Sequence, residues 1–293
     1  PSKRQIILLA IRDRIATQKT MKETIRKLVA ITEAVGSKEI TNTDRYNTEM
    51  KKSLIDKIFF LDKIDAQLII DFGCADGTLI KFMKLVFPEI EYVGYDISAD
   101  MIETARKNLA GLDNITLISN IDDLKRKIQS SGKTTAIVFS SVLHEIYSYD
   151  PEGISSFWKD LIGLSPDYVV IRDMAVSKTA DRASDKISVA RVRQLFDAKL
   201  LDQFEEIWGS IDENISLTHF LLKYRYKENW DREVRENYLP VTIEQLMAHF
   251  PKQYVPDYFE HYTLPFIRNQ AREDFGVELN ERTHVKLIYR KQT

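Results

Sequence analysis

The stretch Leu68-Ile69-Ile70-Asp71-Phe72-Gly73-Cys74-Ala75-Asp76-Gly77 decides the fold of this 293-residue chain. The apolar triplet Leu68, Ile69 and Ile70 is too short to turn a helix alone, and its β-branched content suits a central strand. Gly73, Ala75 and Gly77 then strip side chains from a turn. That lets backbone N–H groups and a helix N-terminus come close to a ligand. The helix is predicted over Thr78 to Val86. A second strand, Tyr92-Val93-Gly94-Tyr95, ends in Asp96. A glycine loop after the first strand of a βαβ unit, with an acid ending the second, is the layout for a ligand that carries a ribose.

A dinucleotide loop wants G-x-G-x-x-G. Counting from Gly73, the third position is Ala75 and the sixth is Thr78, and both miss. The pattern is instead Asp71-x-Gly73-x-Ala75-x-Gly77. It resembles the first motif of the class I S-adenosylmethionine-dependent methyltransferases, D/E-x-G-x-G-x-G, with Ala75 in place of the middle glycine. The added methyl group is tolerable at a negative φ. The resemblance covers roughly residues 66–175 well and the C-terminal end loosely.

The resemblance implies an α/β fold: a Rossmann-like, doubly wound, seven-stranded sheet, mostly parallel with an antiparallel last strand. It also implies S-adenosylmethionine as cofactor. Asp71, Gly73, Cys74, Ala75 and Gly77 would then line the methionine moiety. Asp96 would hold the ribose hydroxyls, with Ile97 and Met101 beside it. In the family an Asp after the third strand often accepts from the adenine amino group, and the next backbone N–H meets a ring nitrogen. The aligned pair here is Asn120-Ile121, and Asn still offers a carbonyl acceptor. Asp122 takes that place if the register shifts by two. Ser140 ends the fourth strand at the same edge. Relatives often lay the preceding chain over the cofactor, so Arg45 or Tyr46 would touch the methionine carboxylate or close the site. The alternative is that Tyr46 is simply packed.

Hydrophobic residues make up 44% of the chain and charged residues 29%, which fits a globular protein with ample core. The single cysteine, Cys74, excludes an internal disulfide and a cysteine metal cluster, and no metal-ligand pattern stands out. No run is long enough to span a bilayer and no signal-peptide cleavage site is visible, so a cytoplasmic protein is expected. Residues 1–57 carry 13 Lys/Arg against 7 Asp/Glu although the whole chain is at −2, so a basic arm precedes an acidic core. Such an arm fits either a polyanion partner or a solvated helix face.

Four regions are expected: an N-terminal helical arm (1–62), the cofactor-binding core (63–175), a loop and helical lid insertion (176–240), and the C-terminal end of the sheet (241–293). The arm reads as two helices over residues 3–35, followed by one from Thr48 to about Leu61. Within the core, Ser98 caps a helix, Ile115–Ile118 is strand three, Ala136–Ser140 strand four and Tyr168–Ile171 strand five. Residues 176–187 lack apolar periodicity and read as a mobile gating loop. Helices are predicted over Val189–Leu201, Leu201–Ile211 and Ile215–Tyr238. The last mixes aromatic and basic residues, which suits either core or the stacking of a base. Thr242 and Gln245 form a capping box. The strands that close the sheet are Tyr254–Tyr262 and Thr283–Tyr289, with a helix over Pro265–Phe275 between them.

Ligands of doubly wound sheets sit beyond the C-terminal strand ends. Ser140 to Tyr147 therefore faces the reacting centre, and His144 and Glu145 are the candidate catalytic pair. Related methyltransferases often show a similar Leu-His segment, including members in which the His is no base. Asp173, at the end of strand five, would bind substrate or pair with Arg172 or a lysine. The chain has no Asn/Asp-Pro-Pro-aromatic motif, and Cys74 lies in the cofactor loop rather than at a nucleophile position. The expected acceptor is thus an oxygen or nitrogen of a small molecule, with an RNA or nucleotide acceptor as the alternative. A module that binds the cofactor without catalysis is the rival from another class.

Overall fold

The structure, a computed structural model, describes residues 54–292. The helices expected over residues 3–35, together with Arg45 and Tyr46, lie outside the described residues. Of the helix expected from Thr48, the described part is α1 (Leu54–Lys57), followed by turns.

Strand β1 (Leu68–Phe72) lies at the centre of the sheet because both of its faces are apolar. It pairs in parallel with β2 (Glu91–Tyr95) on one side. β3 (Ile115–Ile118) extends the sheet beyond β2. On the other side β1 pairs in parallel with β4 (Thr135–Ser140), and β4 with β5 (Tyr168–Met174). The sheet is closed by β6 (Tyr254–Tyr262) and β7 (His284–Lys291). β7 runs antiparallel between β5 and β6, which gives the order β3-β2-β1-β4-β5-β7-β6. This is the expected Rossmann-like doubly wound sheet of seven strands, with β7 antiparallel to its neighbours.

Side chains alternate across the pleat, so each strand feeds two cores. Ile69, Ala136, Val138 and Val170 pack under α2 (Thr78–Val86) and α3 (Ala99–Asn108), where Ile80, Met83, Ile102 and Ala105 meet them. Leu68, Ile70, Ile137 and Phe139 face the other layer. That layer is built from α4 (Ile121–Ser130), α5 (Leu143–Tyr149) and α6 (Ile154–Gly163), and supplies Leu124, Leu143 and Trp158. Ser98 caps α3 as expected, its hydroxyl accepting from the Met101 N–H at 3.3 Å. A buried charge cluster ties α1 to the far half of the sheet. Asp56 accepts from Arg172 on β5 at 2.9 Å and pairs with Lys286 on β7 at 2.7 Å.

The insertion after β5 differs from expectation in detail. The stretch 176–187 is pinned rather than loose. Glu244 accepts from the Ser177 hydroxyl at 2.7 Å and the Lys178 N–H at 3.0 Å, and Ser184 N–H donates to the Asp212 carbonyl at 2.7 Å. The helix expected over Val189–Leu201 is two: α7 (Lys186–Leu195) ends before Asp197, whose carboxylate caps α8 (Ala198–Trp208) at the Leu200 N–H. Ile215–Tyr238 is not one helix either. After α9 (Asn214–Lys223) come a turn and the short α10 (Trp230–Glu233). The chain doubles back because the fully buried Lys223 ammonium donates to the Glu233 and Glu236 carbonyls, and His219 Nε2 accepts from the Tyr238 N–H at 3.1 Å. Phe220, Tyr224 and Trp230 are buried in a third core with Phe275 and Ile267 of α12 (Pro265–Phe275), so these aromatics are packing groups. Between α10 and β6, α11 (Ile243–Ala248) starts on the Thr242–Gln245 capping box.

Candidate active site

The loop between β1 and α2 is shaped by backbone geometry that side chains would obstruct. Gly73 has φ +80°, and a Cβ there would lie 2.5 Å from Val142 Cγ2. Val142 immediately precedes α5, so the glycine loop and the His144 segment are in direct contact. Gly94 on β2 is equally constrained: a Cβ would meet Leu117, Ile80 and Cys74 Sγ, all within 2.9 Å. Burial pushes the Cys74 thiol pKa up, which makes it a packing group rather than a nucleophile.

Ala75 corrects the expectation of a negative φ: it sits at +45°, in the left-handed region. The reason is visible in its partners. At that φ the Ala75 N–H points at Asp96 and donates to Oδ2 at 2.9 Å, while the other carboxylate oxygen accepts from the Ser98 N–H at 2.9 Å. The loop after β1 and the turn after β2 are thereby joined through one carboxylate. Each oxygen keeps a second lone pair for a ligand hydroxyl. Ile97 (85% exposed), Met101 and Ile121 form exposed apolar surface near Asp96. Asn120 caps α4: its side-chain carbonyl accepts from the Asp122 N–H at 2.8 Å, so its acceptor capacity is already part used.

Two buried oxygens near the C-terminal ends of β1 and β4 have no hydrogen-bond partner among the described residues, Asp71 Oδ2 and Ser140 Oγ. Burial pushes Asp71 up to about 7, opposed by the charge of Lys57. Burial in turn pulls Lys57 down to about 8. Unsatisfied polar atoms beside a glycine-rich loop are what a polar, partly cationic ligand would complete. The residues therefore fit the amino-acid end of S-adenosylmethionine.

The second constellation lies where α5 starts. His144 is 6% exposed and held from both sides: Nδ1 bonds Asp173 at 2.7 Å and Nε2 pairs with Glu236 at 3.3 Å. Asp173 also accepts from the N–H groups of Val142, Leu143 and Met174 at 2.7–2.9 Å. Its partner is thus His144, not Arg172 or a lysine, because Arg172 is committed to Asp56. Burial works against a charged ring, but the two carboxylates outweigh it and push the imidazole up to about 10. The two carboxylates favour the protonated ring, and with both nitrogens paired His144 offers no free lone pair as long as it carries both protons. Burial and the neighbouring acids raise the half-buried Glu145 instead, so it is the better proton acceptor of the pair.

Sequence reading missed Glu236, which lies 92 residues beyond His144 in a stretch expected to be helical. No local pattern marks it; only the fold-back at Lys223 brings it to α5. Of the other expected site residues, the structure gathers Asp71, Gly73, Cys74, Ala75, Gly77, Asp96, Ile97, Met101, Asn120, Ile121 and Ser140 along the C-terminal edge of β1 to β4. Tyr46 lies outside the described residues.

Three comparisons say what the chain is similar to. A family model described as a methyltransferase domain matches residues 70–162. A malonyl-[acyl-carrier protein] O-methyltransferase from Legionella pneumophila is 29% identical over 96 residues, an alignment that spans 33% of this chain and 33% of the relative. Solved structures that align include the plantazolicin methyltransferase BamL bound to a substrate analogue and S-adenosylhomocysteine (15% identity, TM-score 0.44, 85% of this chain and 88% of that one). The pyocyanin biosynthetic protein PhzM aligns at 13% identity and TM-score 0.47 over 84% of this chain and 57% of its own. Human N-acetylserotonin methyltransferase aligns at 14% and 0.44 over 85% and 55%. The motif loop, the seven-stranded order and the family match together mark residues 70–162 as a methyltransferase domain.

Proposed function

We propose that the protein transfers a methyl group from S-adenosylmethionine to an oxygen or nitrogen of a small molecule. The observation that carries this reading is the contact between Gly73 and Val142, which brings the cofactor loop against the segment bearing His144 and Glu145. The cofactor's sulfonium supplies an already electrophilic methyl group, so the protein's task is alignment and proton removal. Asp71 and the glycine loop hold the methionine end, and Asp96 holds the ribose hydroxyls. Ile97, Met101 and Ile121 cover the adenine, whose edge meets Asn120 or the Ile121 N–H. The acceptor lies against His144, Glu145 and Glu236, where imidazolium and carboxylates orient it and a carboxylate takes its proton.

A small acceptor is favoured over RNA because most aromatic residues of the insertion, among them Phe204, Phe220, Tyr224 and Trp230, are packed in their own core. The insertion serves as a lid, since Glu236 closes on His144 from above the sheet edge. The test is incubation with methyl-labelled cofactor and either a cell metabolite fraction or total RNA. Label in the metabolite fraction, lost in Glu145→Gln, supports the reading. Label confined to RNA overturns the acceptor class, and no label in either overturns the activity.

A further inference from the structure

We propose that His144 Nε2 and the carboxylates of Glu145 and Glu236 bind a divalent transition-metal cation, Mn2+ or Zn2+, at the acceptor end of the cleft. One ligand atom from each of the three lies within 4.8 Å of the other two. The Nε2 to Glu236 Oε1 separation is 3.3 Å. Two ligands bonded at about 2.0–2.2 Å to one tetrahedral ion stand about 3.4 Å apart, so these two already have the spacing of a coordination edge. Glu145 completes the trio by a rotamer adjustment of its half-buried side chain. Among the described residues no other trio of His, Cys, Asp and Glu converges in this way.

The surroundings are those of a supported ligand set. Asp173 accepts from Nδ1 at 2.7 Å and is itself fixed by three backbone N–H groups. The entering cation displaces to solvent the proton that Nε2 shares with Glu236, while the carboxylate behind Nδ1 keeps the other ring proton and aims Nε2 as the coordinating atom. One imidazole and two carboxylates suit Mn2+ or Zn2+ better than the all-oxygen shell of Ca2+. Lys223 does not compete for Glu236 through its ammonium, which donates to backbone carbonyls. Arg232 also faces the two glutamates and tempers the negative charge there.

Three protein ligands leave open positions, as catalytic sites do. Resting on the methyltransferase reading of this cleft, an acceptor oxygen or nitrogen occupies one of them. Its proton passes to the outer oxygen of Glu145 and the bonding pair stays on the acceptor. That pair forms the new bond to the methyl carbon as the carbon–sulfur bond breaks toward sulfur. The cation lowers the acceptor's pKa and joins α5 to the insertion through Glu236.

The experiment is calorimetric titration of chelator-treated full-length protein with MnCl2 and, separately, ZnCl2. Wild type, Glu236→Gln, Glu145→Gln and Asp173→Asn are compared, with S-adenosylhomocysteine binding as the folding control. The expected result is one cation per chain in wild type with either salt. Affinity should fall at least tenfold in each glutamate variant, and about 10–100-fold in Asp173→Asn. No binding of either cation by wild type, or equal binding by all variants, overturns the inference. If S-adenosylhomocysteine binds while neither cation does, the metal site alone falls; if a cation binds as predicted and the nucleoside does not, the methyltransferase reading alone falls.

Discussion

Gly73→Ala tests whether the cofactor loop and the α5 start are in contact. Two costs add at this position. The first is conformational: φ is +80°, where a residue with a Cβ is disfavoured by about 1–2 kcal/mol. The second is steric: the new Cβ would lie 2.5 Å from Val142 Cγ2, and carbon atoms prefer about 3.5–4.0 Å. Relieving an overlap of that size costs about 1–3 kcal/mol when the neighbour is packed, as Val142 is against the core below α5. The variant is therefore expected to lose about 2–5 kcal/mol. Val142→Ala removes the clashing atom at a cost of its own of about 1 kcal/mol. In a urea-denaturation double-mutant cycle, Val142→Ala should recover the steric part, about 1–3 kcal/mol, and leave the conformational part. A Gly73→Ala protein within about 0.5 kcal/mol of wild type would refute the reasoning, as would a cycle with no coupling between the two sites.

Asp173→Ala strands a buried His144 and three backbone donors, so a loss of about 3–5 kcal/mol is expected in the same assay; a loss under 1 kcal/mol, by about the measure of a surface change, would speak against the network. The folded pKa of His144, about 10, lies above its unfolded value near 6.5. Its contribution to stability is thus fully present below about 6.5 and fades as pH rises through about 10. Denaturation across that window should show the decline in wild type and a shallower one in Glu236→Gln, whereas parallel profiles would contradict the assignment. Ala75→Gly relieves the left-handed strain at +45°, and after the entropy of the freer unfolded chain the expected net change is a gain of up to about 1 kcal/mol with cofactor binding retained. A loss of stability in that variant would show that the methyl group is needed.

The fold was legible because its determinants are local. Leu68 to Gly77 shows a doubly apolar strand followed by a glycine-rich turn, and the Ser98 cap and the Thr242–Gln245 box mark helix starts by chemistry within four residues. Pro265–Phe275 was expected because the stretch between the two closing strands is too long for a hairpin loop, and the helix has those bounds. The insertion was harder to read. Its aromatic spacing fits one long helix over Ile215–Tyr238, but Lys223 satisfies carbonyls ten and thirteen residues ahead and folds the chain back. The same long-range bond delivers Glu236 to His144, so the part of the site made by tertiary contact was invisible in sequence. Ala75 shows the converse: the motif marked the position, but only the bond to Asp96 explains why an alanine there takes a positive φ.

The central claim is that the Asp71–Gly77 loop and Asp96 hold S-adenosylmethionine. Calorimetric titration of the full chain with S-adenosylmethionine and S-adenosylhomocysteine, repeated with Asp96→Ala, tests it most directly. Micromolar binding is expected in wild type. On that claim, removing the carboxylate would forfeit two charge-assisted hydrogen bonds to the ribose, an expected loss of about 3 kcal/mol or roughly a hundredfold in affinity. Absence of binding to either nucleoside, or an Asp96→Ala variant that binds as tightly as wild type, would contradict the account.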